Sequence, residues 1–148
     1  MRKIEYIFID SDRETRDGKP GRHAVPNLGY HYVVNSEGLV LNPTNVCIPA
    51  HIIQGPVYDP DKYNHCSIFI RYCGSILPEA WLMQSGTNCS SIMAQRAALL
   101  QLLVQLRNHF PDAKILGVTE LDGRELYSKN IIVSDAMNVL RRELSDYD

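Results

Sequence analysis

The sequence predicts an α/β domain in which a mixed central β-sheet is flanked by helices. Two observations carry that prediction. Short β-forming runs at residues 3–9, 30–35, 39–41, 46–53, 66–73 and 114–118 are separated by segments rich in turn residues. Two helical stretches fall late in the chain, giving the order β, β-hairpin, β, β, α, β, α, which places helices on the faces of a sheet. With 148 residues the chain is expected to be one domain, 1–148, that buries roughly two-thirds of its unfolded surface.

Residues 3–9 carry Ile4, Tyr6, Ile7, Phe8 and Ile9 with little polar interruption, the pattern of a central strand buried on both faces. Ser11 to Asn27 is charged, punctuated by Gly18, Pro20, Gly21 and Pro26, and reads as loop. Tyr30–Asn35 and Leu39–Leu41 form a hairpin around Ser36-Glu37-Gly38, where the glycine takes the positive-φ position. Val46–Ile53 is apolar but broken by Pro49, which predicts an edge or bulged strand. Gly55 to Asn64 is a turn-rich loop. Cys66–Cys73 is a strand with Ser67, Phe69 and Arg71 on one face and Ile68, Ile70 and Tyr72 on the other. Ser75 to Ser90 is irregular and holds the sole tryptophan, Trp81.

The clearest helix spans about Ile92 to Phe110, with Ser90 or Ser91 as N-cap and Pro111 as its stop. Leu99, Leu102, Leu103, Leu106 and Phe110 form its core stripe, while Gln95, Arg96, Gln101, Gln105 and Asn108 take the opposite side. Lys114–Val118 is a short strand. Ser134 is expected to cap a last helix that turns Met137, Leu140 and Leu144 inward. Arg141 and Arg142 lie near its end, where they suit the helix dipole.

Composition excludes several function classes. A net charge of −2 offers no basic field for phosphate, so nucleic-acid binding is set aside. No stretch approaches the about 20 apolar residues of a membrane helix, so no membrane insertion is expected. The N-terminal apolar run is too short and too charged for a signal peptide, which predicts a cytoplasmic protein as encoded. Reaching a cell wall would then require lysis or another export route. Cys47, Cys66, Cys73 and Cys89 include no C-x-x-C pair and read as buried, reduced thiols, with a disulfide through Cys89 as the alternative.

Several short motifs, in order, point further. Ile7-Phe8-Ile9-Asp10-Ser11 resembles the first strand, I-x-I-H-C/H-S/T, of the type-2 N-acetylmuramoyl-L-alanine amidases, the zinc family that includes the peptidoglycan recognition proteins. Leu28–Val34 with Glu37-Gly38 resembles the family's G-Y-H-Y-V-I hairpin. Ala50-His51, Tyr63-Asn64 and Ser67-Ile68 resemble its G-x-H and Y-N-x-x-S-I. Gln95 to Pro111 and Ile115 to Leu121 resemble Q-x-x-A-L-x-x-L-L and the closing G-H-R-D-L. The resemblance implies an amidase-like (peptidoglycan recognition protein-like) fold across nearly the whole chain.

It also implies where zinc would bind, and there the chain departs. The three ligand positions fall on Asp10, Val118 and about Asn130. Zinc needs three or four N, S or O donors, and Val118 supplies none. No zinc and no other cofactor is therefore expected. Without the ion nothing lowers the pKa of an attacking water from about 15.7 towards 7 or polarises the amide carbonyl, so hydrolysis is expected to be lost. The short span from Asp10 to Tyr30 also leaves the polar loop where the family fits a helix along the cleft.

What the resemblance retains is the part that touches ligand. Tyr30 matches the tyrosine beside the scissile bond, and His51 and Asn64 match positions lining the peptidoglycan groove. Each has a plainer reading: a half-buried strand tyrosine, a histidine satisfying loop carbonyls, and a turn-capping asparagine. His31 would point to the face opposite Tyr30 and belong to the core or sheet surface. The expected partners are peptidoglycan or muropeptide fragments. An active amidase with an atypical metal site, recruiting His23 or His51, and a scaffold protein with an apolar patch around Trp81 to Met83 remain the alternatives. Lesser readings are a Cys–His pair among Cys47, Cys66 and His51, and an Asp10–Glu120 carboxylate pair able to hold Ca²⁺ or Mg²⁺.

Overall fold

The computed structural model describes residues 2–11, 29–50, 52, 60–74, 89–120 and 129–147. Its strands are β1 (Tyr6–Ser11), β2 (Tyr32–Val34), β3 (Val40–Leu41), β4 (Ser67–Tyr72) and β5 (Lys114–Gly117). The helices are α1 (Pro60–His65), α2 (Cys89–His109) and α3 (Lys129–Ser145), and a 3₁₀ turn covers Val118–Glu120. Among the described residues these strands make one five-stranded mixed sheet, ordered β3-β2-β4-β1-β5. β1 runs parallel to both β4 and β5, β2 runs parallel to β4, and β3 pairs antiparallel with β2. The expected mixed sheet with flanking helices is present. No helix among the described residues is long and apolar enough to cross a membrane.

Alternation along the central strands divides the core in two. Ile7, Ile9, Ile68, Ile70 and Tyr72 face α2 and α3, meeting Leu99, Leu102, Leu103 and Leu106 from one helix and Met137, Leu140 and Leu144 from the other. Phe8, Phe69, Val33, Tyr30 and Val118 pack on the opposite face, covered by Ala50, Ile52 and Tyr63. Phe8 stacks on Phe69 at 5.3 Å between ring centroids. The leucine stripe read from the sequence is thus the contact between α2 and the sheet.

The hairpin turns where expected. Gly38 has φ 87°, and a Cβ there would stand 3.2 Å from the Ala94 carbonyl oxygen of α2, so the turn needs glycine for conformation and for space. Several expectations change. Residues 46–50 form no strand, because Asn45 folds them into a turn: its Oδ1 accepts from Cys47 N at 2.8 Å and its carbonyl from Ile48 N at 3.0 Å. Pro60–His65 is a helical turn rather than loop, with Pro60 at the first position, where its missing N–H costs nothing.

The long helix begins at Cys89, and Gln95 and Arg96 are buried rather than solvent-facing. Gln95 Nε2 donates to the Cys73 carbonyl at 2.9 Å, and Arg96 pairs with Glu143 of α3 at 2.9 Å. Polar side chains on the sheet-facing side of a helix are retained when each has such a partner. The last helix begins at Lys129, which leaves Ser134 inside it. Cys47 is exposed rather than buried, and Cys66 and Cys73 are half-buried. The polar loop within 11–27, the Trp81 segment and the Cys89 side chain lie outside the described residues, apart from Ser11.

Candidate functional site

Parallel strands deliver their carboxyl ends to one edge of a sheet, the edge where open α/β folds gather binding groups. Here β1 ends in Asp10 and Ser11, and β4 in Arg71 and Tyr72. Val118 follows β5 directly. Asp10 and Arg71 are register partners across the β1–β4 pair. The sequence brings them together by strand alternation, since Asp10 shares a face with Phe8, and Arg71 with Phe69.

Tyr30 completes the group from the start of the next segment. Gly29 has φ 96°, a turn that sends the following residue inward. The Tyr30 side chain is buried among Phe8, Val33, Phe69 and Val118, and its hydroxyl donates to Asp10 Oδ2 at 2.6 Å. A hydrogen bond to a carboxylate is short and about twice as strong as a neutral one. The Arg71 guanidinium carbon lies 5.9 Å from the Tyr30 ring centroid, within range of a cation–π contact. Carboxylate, phenol and guanidinium therefore meet at one strand end.

Val118, expected at the second zinc-ligand position, is 1% exposed within the phenylalanine cluster. Asp10 keeps an oxygen donor, already bonded to the Tyr30 hydroxyl. Asn130 falls in the first turn of α3, and its side chain lies outside the described residues. Among the described residues no three His, Cys, Asp or Glu side chains are grouped to hold an ion.

Asn64 is buried on α1, where its Oδ1 accepts from Ile52 N at 3.1 Å. That bond fixes Ile52, and with it the segment carrying Ala50, onto the aromatic cluster that also holds Tyr30. His51 lies outside the described residues, between these two packed neighbours.

His31 departs from its expected face. β2 starts only at Tyr32, so strand alternation does not separate Tyr30 from His31, and both pack toward Phe69. The His31 ring is wholly buried, and its Nδ1 accepts from Phe69 N at 3.0 Å. The ring proton must then sit on Nε2, which donates to the Ile48 carbonyl at 2.7 Å. Arg2 Nη2 stands 3.1 Å from that same nitrogen, its own N–H directed at the same carbonyl at 3.5 Å. Burial holds the imidazole below its usual pKa; the Ile48 carbonyl opposes that shift and the Arg2 charge adds to it.

The carboxylate pair is corrected. The 3₁₀ turn directs Glu120 back to Gly117 N, at 2.7 Å, and to both terminal nitrogens of Arg141, at 3.0 Å each. Asp10 and Glu120 are committed to separate donors. A nucleophilic Cys66 is disfavoured too, because burial and Glu5 push its thiol pKa up. Two residues were missed from sequence. Arg71 had a signal, a lone charge in an apolar strand on the Phe69 face. Arg2 had none, because its acceptors are backbone carbonyls of distant segments.

The chain matches no protein-family model, and no curated protein matches it.

A double-mutant cycle over Tyr30→Phe and Asp10→Asn is expected to show a coupling of about 1.5 kcal/mol in urea unfolding. A coupling near zero would mean the phenol and carboxylate stand side by side without bonding.

Proposed function

We propose that this chain is an N-acetylmuramoyl-L-alanine amidase-like domain that has lost zinc and hydrolysis and binds peptidoglycan fragments, or a related ligand, in the old groove. The pairing of Asp10 with Tyr30 beside a buried Val118 carries this reading. In the resembling family a metal occupies that place; here a phenol hydroxyl satisfies the one remaining oxygen donor. The mixed sheet, with α2 and α3 on one face and an aromatic cluster on the other, is compatible with a general α/β fold. Asp10, held in place by the buried Tyr30, would meet the ligand, with Asn64 anchoring the neighbouring segment at Ile52.

Titration calorimetry with a muramyl tripeptide tests the reading, alongside elemental analysis after zinc incubation and dialysis. The expected result is micromolar-range binding, no retained zinc and no cleavage of the muramyl–L-alanine bond. Tyr30→Phe should weaken binding about fivefold to tenfold, by removing the hydroxyl that holds Asp10 in place. Asn64→Ala should weaken it by loosening the segment at Ile52. Near-stoichiometric zinc with cleavage would instead identify an active amidase whose metal recruits His23 or His51. Neither zinc nor binding would leave the fold as a scaffold.

A further inference from the structure

We propose that residues 45–50 form a strap whose closure over the sheet requires a neutral His31, so that proton uptake by this imidazole releases the strap.

The strap is held from beneath by two side chains. His31 Nε2 donates to the Ile48 carbonyl at 2.7 Å, and Arg2 donates to the Val46 carbonyl at 3.0 Å and to Ile48 at 3.5 Å. At its far end Ala50 is buried in the aromatic cluster next to Val118 and Tyr30. The strap therefore packs on the same aromatic cluster that buries Tyr30.

Protonation changes every contact of the ring. The second proton must go to Nδ1, which accepts the Phe69 N–H at 3.0 Å, so two N–H groups would face each other. A buried backbone N–H without an acceptor is costly, and turning the ring to avoid it withdraws Nε2 from Ile48. The imidazolium would also carry its charge against Arg2. Among the described residues, Arg2 on the N-terminal segment is the charged group against the ring. Around Arg2 lie the thiols of Cys47 on the strap and Cys66 ahead of β4, with Glu5 beside Cys66. β4 presents the uncharged Phe69. The Ile48 carbonyl is the one feature favouring imidazolium, and the neutral ring already uses it.

The direction with pH follows. With the strap open the ring titrates near its ordinary value of about 6.5, while the closed ring titrates lower. The open state binds protons first, so closure is at full strength above about pH 6.5. It weakens as pH falls, until the closed ring itself protonates.

Hydrogen exchange at the amides of Cys47, Ile48, Ile52 and Phe69, corrected for the intrinsic pH dependence, tests the device. Between about pH 7.5 and about pH 5 the opening constant should rise, by at most about thirtyfold, the limit set by the open ring's ordinary value. In His31→Gln, whose amide can donate to Ile48 without titrating, it should stay flat. Equal protection at both pH values in the wild type, or the same rise in the variant, would overturn the proposal. A nitrogen-15 titration of the His31 ring needs no variant: protonation and strap opening should share one midpoint. A ring that protonates while these amides stay protected would also overturn it. The strap is defined by its own contacts, so failure of muramyl-peptide binding leaves this inference standing.

Discussion

Replacing Phe69 with alanine is expected to lower the unfolding free energy by about 3–5 kcal/mol, the usual cost of emptying a fully buried phenylalanine site. The ring has no solvent exposure, stacks on Phe8, and lies 6.3 Å from the His31 ring at 24°. Its neighbours are held in a five-stranded sheet and cannot collapse far into the void. Phe69→Leu keeps most of the volume and should cost less than about 1.5 kcal/mol. Urea midpoints at constant m-value measure both. In thermal unfolding the alanine variant should melt on the order of 10 °C lower. A loss below about 1 kcal/mol would mean that the aromatic face contributes little to stability and that the helix-facing cluster carries the fold.

The second large effect belongs to Arg2. Its fork donates to the carbonyls of Val46 at 3.0 Å, His65 at 2.9 Å and Ile48 at 3.5 Å, tying the N-terminal segment to the strap and to the end of α1. Arg2→Met keeps the apolar stem and removes the donors, at an expected cost of about 2–3 kcal/mol. Arg2→Lys should recover little of it, because a single ammonium cannot serve three diverging carbonyls. The Met variant has a second signature. Losing a positive charge beside His31 eases protonation of the closed ring, so the acid-induced loss of closure should be smaller than in the wild type. If Lys restores full stability, charge rather than the guanidinium fork holds these segments.

The sequence was most readable where periodicity is dense. The Leu99–Leu106 stripe, the apolar run of β1 and the Gly38 turn each follow from local pattern, and each stands where that pattern puts it. It was least readable where side chains reach across the chain. Asn45 turns an apolar run that looks like a strand, and Gln95 and Arg96 sit on a polar-looking helix face yet are buried by partners that no local window contains. The site shows the same division. Tyr30 and Asp10 were named from motif positions, but their bond depends on Gly29 and on where β2 begins. The approach of Arg71 to Tyr30 depends on the parallel β2–β4 register.

That register has a cost in time during synthesis. Phe8 takes Phe69 on one side and, much later in the chain, Leu116 on the other. At about 5–20 residues per second, β1 leaves the ribosome on the order of ten seconds before the strand that closes its second edge. Until then Tyr6-Ile7-Phe8-Ile9 is an apolar strand with an unpaired edge, the kind of segment that associates with its like. A nascent chain stalled after α2 would hold that edge open. Chaperone demand should therefore peak late in translation, and messages truncated before Lys114 should yield aggregates rather than soluble fragments.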